Sequence, residues 1–191
     1  MNPIFQFPSY LLKRQAIALT GRFRFYDPSG NLVMFSEQKM FKLREDIRVF
    51  SDESKTQEVL MIKARQIIDF SAAYDVVDSA TGQKVGALRR KGLASILRDE
   101  WEILDVGDNV IGKLFEDSMG LALVRRFLTG LVPQNYDITI GTERVADLKQ
   151  AFNPFAYQLT VDFSMDLSQR LDRRIGIAAA ILLAAVEGRQ S

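Results

Sequence analysis

Clustered arginine and lysine side chains are the residues of this chain best suited to binding chemistry. Arg89-Arg90-Lys91 is one such segment, and Arg125-Arg126 is another. Guanidinium and ammonium groups suit phosphate oxygens, so both segments are candidate contacts for an anionic headgroup or membrane surface. The alternative is a solvated loop or a charged strand edge, since each charge contributes only about 1 kcal/mol at an anionic surface. A third group comprises Arg170, Arg173 and Arg174. These arginines either ring the mouth of the fold at the base of the C-terminal helix or pair with nearby carboxylates.

Residues for acid–base or nucleophilic catalysis are scarce. The chain has no histidine and no cysteine, which excludes the usual serine triad, thiolate catalysis, disulfides and cysteine metal sites. Glu100, Glu102 and Asp105 surround Trp101, but adjacent residues such as Trp101 and Glu102 point to opposite faces of a strand. The sequence contains no glycine-rich phosphate loop and no calcium loop. We therefore expect neither enzyme activity nor a cofactor.

Length and charge set the broad class of the protein. A chain of 191 residues predicts a single domain over residues 1–191, and a formal net charge of +1 creates no field that recruits nucleic acid. The first residues lack the basic segment and long apolar core of a signal peptide. We expect a cytoplasmic protein. The basic clusters also allow peripheral association with a membrane.

An unbroken apolar run extends from Ile175 to Val186. It reaches only about 18 Å as a helix, which is too short for a hydrocarbon core of about 30 Å. Its bulky side chains also leave no polar face for an interfacial helix. A helix buried by protein on all sides fits best. Asp166 is a candidate N-cap with Gln169 completing a capping box, which predicts a central helix over about 167–187.

The chain before this helix repeats a strand–turn–strand unit with Asp, Asn and Gly in the turns, which is typical of antiparallel hairpins. The unit occurs at residues 23–35, 47–62, 74–88, 101–114 and 136–148. A final strand alternates, with Phe155, Tyr157, Leu159, Val161 and Phe163 on one buried face. Asp117 or Ser118 is a candidate cap for a short peripheral helix over about 118–129.

These elements combine into one predicted architecture. About a dozen antiparallel strands, spanning about 9–163, leave exposed edges unless the sheet closes, and a helix that is apolar all round needs an enclosure. We therefore predict a mainly β fold, a closed antiparallel barrel of about twelve strands built from repeated hairpins. It encloses the buried C-terminal helix and carries the short helix outside.

Several strand-pair segments resemble those of LURP-one-related proteins, which belong with tubby C-terminal domains and phospholipid scramblases. The resemblance rests on Phe25-Tyr26-Asp27-Pro28-Ser29-Gly30-Asn31, Tyr74-Asp75-Val76-Val77-Asp78 and Trp101-Glu102-Ile103-Leu104-Asp105, and covers roughly residues 9–188. It implies a twelve-stranded barrel around a central helix. Tubby-like domains bind phosphoinositide headgroups through basic surface residues, whereas this chain lacks the proline-rich arm and lipidated cysteines of scramblases.

Two functional hypotheses remain open. The first is a non-catalytic module that binds an anionic phospholipid headgroup or membrane surface through Arg89, Arg90, Lys91, Arg125 and Arg126. The second is a protein-interaction or scaffold domain with a protein partner and no lipid ligand. Nucleic-acid binding is not expected, because no basic stripe with interleaved aromatic residues occurs.

Overall fold

The computed structural model describes residues 2–15, 20–39, 46–65, 72–91, 100–117, 133–153 and 155–187. Within these ranges, a short 3-10 helix at Pro3–Phe5 precedes twelve β-strands and one α-helix, α1 (Arg173–Glu187). The strands are β1 (Ser9–Gln15), β2 (Thr20–Tyr26), β3 (Leu32–Lys39), β4 (Ile47–Phe50), β5 (Glu58–Ala64), β6 (Ala73–Asp78), β7 (Lys84–Arg90), β8 (Glu100–Leu104), β9 (Val110–Glu116), β10 (Asn135–Ile140), β11 (Glu143–Ala151) and β12 (Ala156–Asp162).

The twelve strands form a closed antiparallel barrel in which each strand pairs with its neighbours in the chain. Closure is made by β1, which pairs with β2 on one side and with β12 on the other. In the last pair, Ser9 lies opposite Asp162 and Gln15 lies opposite Ala156. The closed barrel and the C-terminal helix are confirmed.

Because consecutive strands run in opposite directions, the connections between them alternate between the two ends of the barrel. Short connections at residues 27–31, 51–57, 79–83, 105–109 and 141–142 join strands at one end, which we call the turn end. The other end, which we call the loop end, is where strands flank residues 16–19, 40–46, 65–72, 91–99, 117–134 and 152–155. The last residues of β7 and the first residues of β8 therefore lie at the loop end.

Aspartate side chains shape several connections at the turn end. Asp27 Oδ1 accepts hydrogen bonds from the backbone N–H groups of Ser29 at 2.9 Å and Asn31 at 2.8 Å. Asp105 Oδ1 accepts the equivalent pair from Gly107 at 2.8 Å and Asn109 at 2.9 Å. Such Asx turns satisfy backbone donors that would otherwise need water, so they fix tight connections between paired strands.

Helix α1 begins at Arg173 rather than near residue 167, so the predicted start is wrong. Asp166 accepts hydrogen bonds from the N–H groups of Arg170 and Leu171, which lie in a non-helical segment with Gln169 at a φ of 51°. The cap is Asp172, whose Oδ1 accepts from Arg174 N at 3.0 Å. Asp172 sits directly before the first helical residue, as an N-cap should.

Burial in α1 covers its middle residues. Every residue from Ile175 to Ala184 is buried. The helix packs against β6, β7 and β12. No helix in the described part of the chain has the length and hydropathy that crossing a bilayer requires.

The buried face of β12 departs from the predicted alternation at one position. Tyr157, Leu159, Val161 and Phe163 are buried, as predicted. Phe155 is 80% exposed, because β12 starts only at Ala156 and Phe155 belongs to the preceding connection. The predicted peripheral helix over 118–129 lies outside the described residues.

Candidate functional site

The basic segment Arg89–Lys91 is positioned by the pairing of β7 with β8 at the loop end. Arg89 lies opposite Glu102, and Arg90 lies opposite Trp101. Just beyond the strand, the N–H of Lys91 donates to the backbone oxygen of Glu100 at 3.1 Å. The register therefore brings Arg89 and Lys91 beside the carboxylates of Glu102 and Glu100.

Two of the three cations are engaged by those carboxylates. Arg89 Nε donates to Glu102 Oε2 at 2.8 Å, and Lys91 Nζ donates to Glu100 Oε1 at 2.7 Å. Lys91 Nζ also lies 3.8 Å from Glu102 Oε1. The hydrogen bond that Lys91 donates to Glu100 raises the pKa of the Lys91 ammonium. Arg89 nevertheless keeps 41% of its side chain exposed, so it remains accessible to an anion.

Arg90 lies on the other face of β7, because side chains alternate along a strand. Its guanidinium carbon is 6.0 Å from the ring centroid of Trp101, which is only 2% exposed. The Tyr74 ring lies 6.0 Å from the same indole. The predicted basic cluster is therefore divided, with Arg89 on the outer wall and Arg90 stacked towards the interior.

Lys113 joins this cluster through the next strand. Glu102 lies opposite Lys113 in the pairing of β8 with β9. Lys113 Nζ is 3.8 Å from Glu100 Oε1, and its side chain is 54% exposed. Sequence reasoning missed Lys113 because it lies within β9, away from any run of charges. The signal that could have found it is its cross-strand position opposite Glu102.

The three carboxylates near Trp101 have structural partners. Glu100 and Glu102 face the cations described above, whereas Asp105 binds backbone N–H groups in the β8–β9 turn. Hydrogen bonds from Asn109 lower the pKa of Asp105. The lowered pKa keeps Asp105 ionised, whereas general acid catalysis requires a carboxyl group that holds its proton.

A protein-family model matches most of this chain. The model of the LURP-one-related family matches residues 32–184. The chain belongs to the LURP-one-related family. The resemblance found in its strand-pair segments is thereby confirmed.

One solved structure extends the comparison of this LURP-one-related chain to the whole fold. The X-ray structure of a protein from Arabidopsis thaliana aligns with a TM-score of 0.55, covering 97% of this chain and 96% of that chain. The two sequences are 13% identical, so the likeness concerns the fold. Curated proteins contain no match to this chain.

The arginines near the base of α1 lie at the turn end of the LURP-one-related barrel. Arg174 pairs with Asp78 and with Asp172, and only 13% of its side chain is exposed. Arg173 donates to the backbone oxygens of Gln6 and Phe7. Arg174 therefore pairs with carboxylates as predicted, whereas Arg173 binds backbone carbonyl groups; both fasten the helix base to the barrel.

Arg170 is more exposed than the other two arginines at the helix base. Its NH1 lies 2.5 Å from Glu143 Oε2 in a surface ion pair, with 37% of the side chain accessible. It therefore resembles Arg89 in exposure and pairing while lying at the opposite end of the barrel. Arg125 and Arg126 lie outside the described residues.

A pair of aspartates on β10 and β11 was not singled out by sequence reasoning. Asp137 lies opposite Asp147, and both are largely buried, with exposures of 8% and 5%. Burial raises the pKa of Asp137, although Arg144 NH2 lies 2.5 Å from its Oδ1. Arg144 also lies 3.0 Å from Asp147 Oδ1. Arg144, which is 44% exposed, and Lys149, which also pairs with Asp147, make this an ion network on the outer wall of the barrel.

Proposed function

We propose that this LURP-one-related domain is a non-catalytic module that binds an anionic phospholipid headgroup or membrane surface at the loop end. The single observation that carries the proposal is the excess of cations on three adjacent strands. On the outer wall there, the three partly exposed cations Arg89, Lys91 and Lys113 lie beside the two carboxylates of Glu100 and Glu102. Partly exposed Lys and Arg near an anionic surface each contribute about 1 kcal/mol, so a few such groups support weak, salt-sensitive association.

The proposed architecture makes the barrel a rigid support for this surface. We propose that α1 runs through the barrel interior, as in the tubby-like arrangement of hairpins around a central helix. The support is geometric, because α1 packs against β12 and also against β6 and β7, which stand well apart around the ring. A helix that touches strands so far apart lies between them. The module would act in the cytoplasm and associate with membranes peripherally.

Vesicle co-sedimentation tests the proposed function. The full chain should pellet with vesicles containing phosphatidylserine or phosphoinositide, should pellet less at moderate than at low salt, and should stay in solution with neutral vesicles. The double variant Arg89→Ala with Arg90→Ala should weaken pelleting, with Arg125→Ala and Arg126→Ala as a second pair. Arg170→Ala is the matched control, since it removes an equally exposed arginine from the turn end. Absence of lipid-dependent pelleting by the wild-type chain would refute the proposal.

A protein-interaction or scaffold domain is the second candidate function. The observation that favours it is the pairing of Arg89 with Glu102 and of Lys91 with Glu100, which presents mixed charge to a partner. Mixed charge of this kind suits a protein surface better than a uniformly anionic bilayer. Pull-down from a native lysate combined with light scattering distinguishes the two functions. A strictly monomeric chain that captures no partner counts against the scaffold.

A further inference from the structure

Two large aromatic side chains are exposed on one short connection at the loop end. Phe152 is 57% exposed and Phe155 is 80% exposed, on either side of the turn between β11 and β12. The remaining exposed large apolar residues in the described part of the chain are aliphatic or methionine: Val106, Val110, Met165 and Leu167. Aromatic residues contribute more apolar area than these when they are covered.

Backbone hydrogen bonds hold this connection in place. Asn153 Oδ1 accepts from Phe155 N at 2.9 Å and from Ala156 N at 3.1 Å. The Asx turn fixes the chain where it enters β12, so Phe155 is directed away from the buried face that begins at Tyr157. Presenting two aromatic residues on a fixed turn reduces the ordering cost of burying them against a partner.

The two ends of the barrel differ in how well their charges suit contact with an anionic bilayer. The connections between paired strands at the turn end carry Asp27, Asp52, Glu53, Asp105 and Asp108 with one cation, Lys55, and the segment before α1 adds Asp166 and Asp172 with Arg170. The loop end instead carries the cations beside β7–β9 and Lys149 on β11, which pairs with Asp147 and keeps 65% of its side chain exposed shortly before Phe152. The exposed aliphatic residues Val106 and Val110 flank carboxylates, which an anionic membrane repels.

From this placement we infer that Phe152 and Phe155 insert into the interfacial region of an anionic bilayer when the loop end docks. This inference rests on the proposed function and adds the apolar part of the contact. Cations of the loop end supply attraction to the headgroups, and the two phenyl rings supply apolar burial between them. Peripheral membrane contacts combine these two contributions, because neither alone gives firm attachment.

Site-specific fluorescence labelling tests the insertion, because the chain has no native cysteine. Ala151→Cys places one nitrobenzoxadiazole label beside Phe152, and Thr142→Cys places the same label at the turn end. Both positions are exposed. On phosphatidylserine vesicles, the label at residue 151 should brighten and shift to shorter wavelength, whereas the label at residue 142 should not change.

Co-sedimentation of unlabelled variants provides an independent measure. Replacing Phe152 and Phe155 by Ser should lower partitioning onto phosphatidylserine vesicles by at least about tenfold, because burying even one phenyl ring gives that gain. Leu167→Ser is the matched control, since it removes a 90% exposed apolar residue at the turn end.

The outcomes separate this inference from the proposed function. The wild-type chain could pellet with vesicles while the label at residue 151 does not respond and the Phe152 and Phe155 substitutions have no effect. That result would overturn the insertion and leave headgroup binding supported. No pelleting by any chain would refute both. Binding of a protein by these phenylalanines, without any vesicle response, would also overturn the inference.

Discussion

Gly176 lies so close to the ring of Phe163 that no methyl group fits between them. A Cβ atom at Gly176 would stand 2.5 Å from Cε1 and from Cζ of Phe163. Gly176 belongs to the first turn of α1, and Phe163 directly follows β12. The contact therefore sets how closely the base of the helix approaches the barrel wall.

Replacing Gly176 by Ala should destabilise the domain. Overpacking against Phe163 is expected to cost about 1–3 kcal/mol, more than the roughly 1 kcal/mol that Ala gains over Gly in a helix. Chemical denaturation measures the free energy of unfolding. The variant Phe163→Leu should relieve the clash, so the double variant should lose less than the sum of the single losses. A Gly176→Ala chain as stable as the wild type would contradict the close approach.

Tyr10 should titrate at unusually high pH. Its hydroxyl donates to Ile4 O at 2.7 Å and accepts from Phe7 N at 3.2 Å. Burial raises the pKa of Tyr10 to about 12, with the Phe7 hydrogen bond and Arg173 opposing the shift. Because the folded pKa exceeds the unfolded value near 10, this group stabilises the fold fully below about pH 10. That contribution is lost as the pH rises through about 12.

Tyrosinate absorbance of the wild type minus that of Tyr10→Phe measures this titration. One tyrosine should ionise near pH 12 in the wild type and be missing from the variant. The variant should also lose about 1–3 kcal/mol of stability at neutral pH, because two hydrogen bonds are removed. Ionisation of every tyrosine near pH 10 in the folded chain would contradict the buried environment of Tyr10.

Asp78 should make stability sensitive to acid. Burial raises the pKa of Asp78, but the N–H groups of Thr81 and Ala80 and the charge of Arg174 outweigh burial and lower it. A carboxyl group whose folded pKa lies below its unfolded value stabilises the fold above the unfolded pKa, about 3.8, and this stabilisation is lost at lower pH.

Replacing Asp78 by Asn tests this titration. The substitution should cost about 1–3 kcal/mol at pH 7, because Arg174 loses one partner while keeping Asp172. Urea denaturation should show the difference from the wild type shrinking as the pH falls below about 4. An unchanged difference at neutral and acidic pH would show that the ion pair with Arg174 contributes nothing.

Glu102→Gln should strengthen binding to anionic vesicles. Glu102 neutralises Arg89, so its removal leaves one more uncompensated positive charge at the loop end. A charge near an anionic surface contributes about 1 kcal/mol, which corresponds to roughly a fivefold gain in partitioning. Glu143→Gln is the matched control, since it changes the net charge equally but lies at the turn end beside Arg170. Equal gains from both variants would mean that overall charge matters and the loop end does not.

The fold could be predicted from sequence because its signals are local and repeated. Aspartate and glycine in turns, alternation in strands and an apolar C-terminal run predicted the closed barrel and the helix. The helix start could not be predicted, because Asp166 and Asp172 are both plausible caps. The choice of Asp172 depends on the left-handed backbone at Gln169, which sequence alone does not reveal.

The candidate site was less predictable because it depends on register. Arg89–Lys91 stands out as a run of charges, but its pairing with Glu100 and Glu102 arises only when β7 and β8 align. The same alignment places Arg90 over Trp101 and separates it from Arg89. Phe155 was assigned to the buried face because the alternating pattern continues past the end of the strand. Only the Asn153 turn shows where the strand begins.

Hydrogen–deuterium exchange of the full chain on anionic vesicles directly tests membrane binding through the loop end. We expect slower backbone exchange in peptides covering residues 89–91, 100–102 and 152–155. The turns at residues 27–31, 105–109 and 141–142 should show no change. Neutral vesicles should leave all peptides unchanged. Protection confined to the turn end, or identical exchange with and without anionic vesicles, would contradict membrane binding through the loop end.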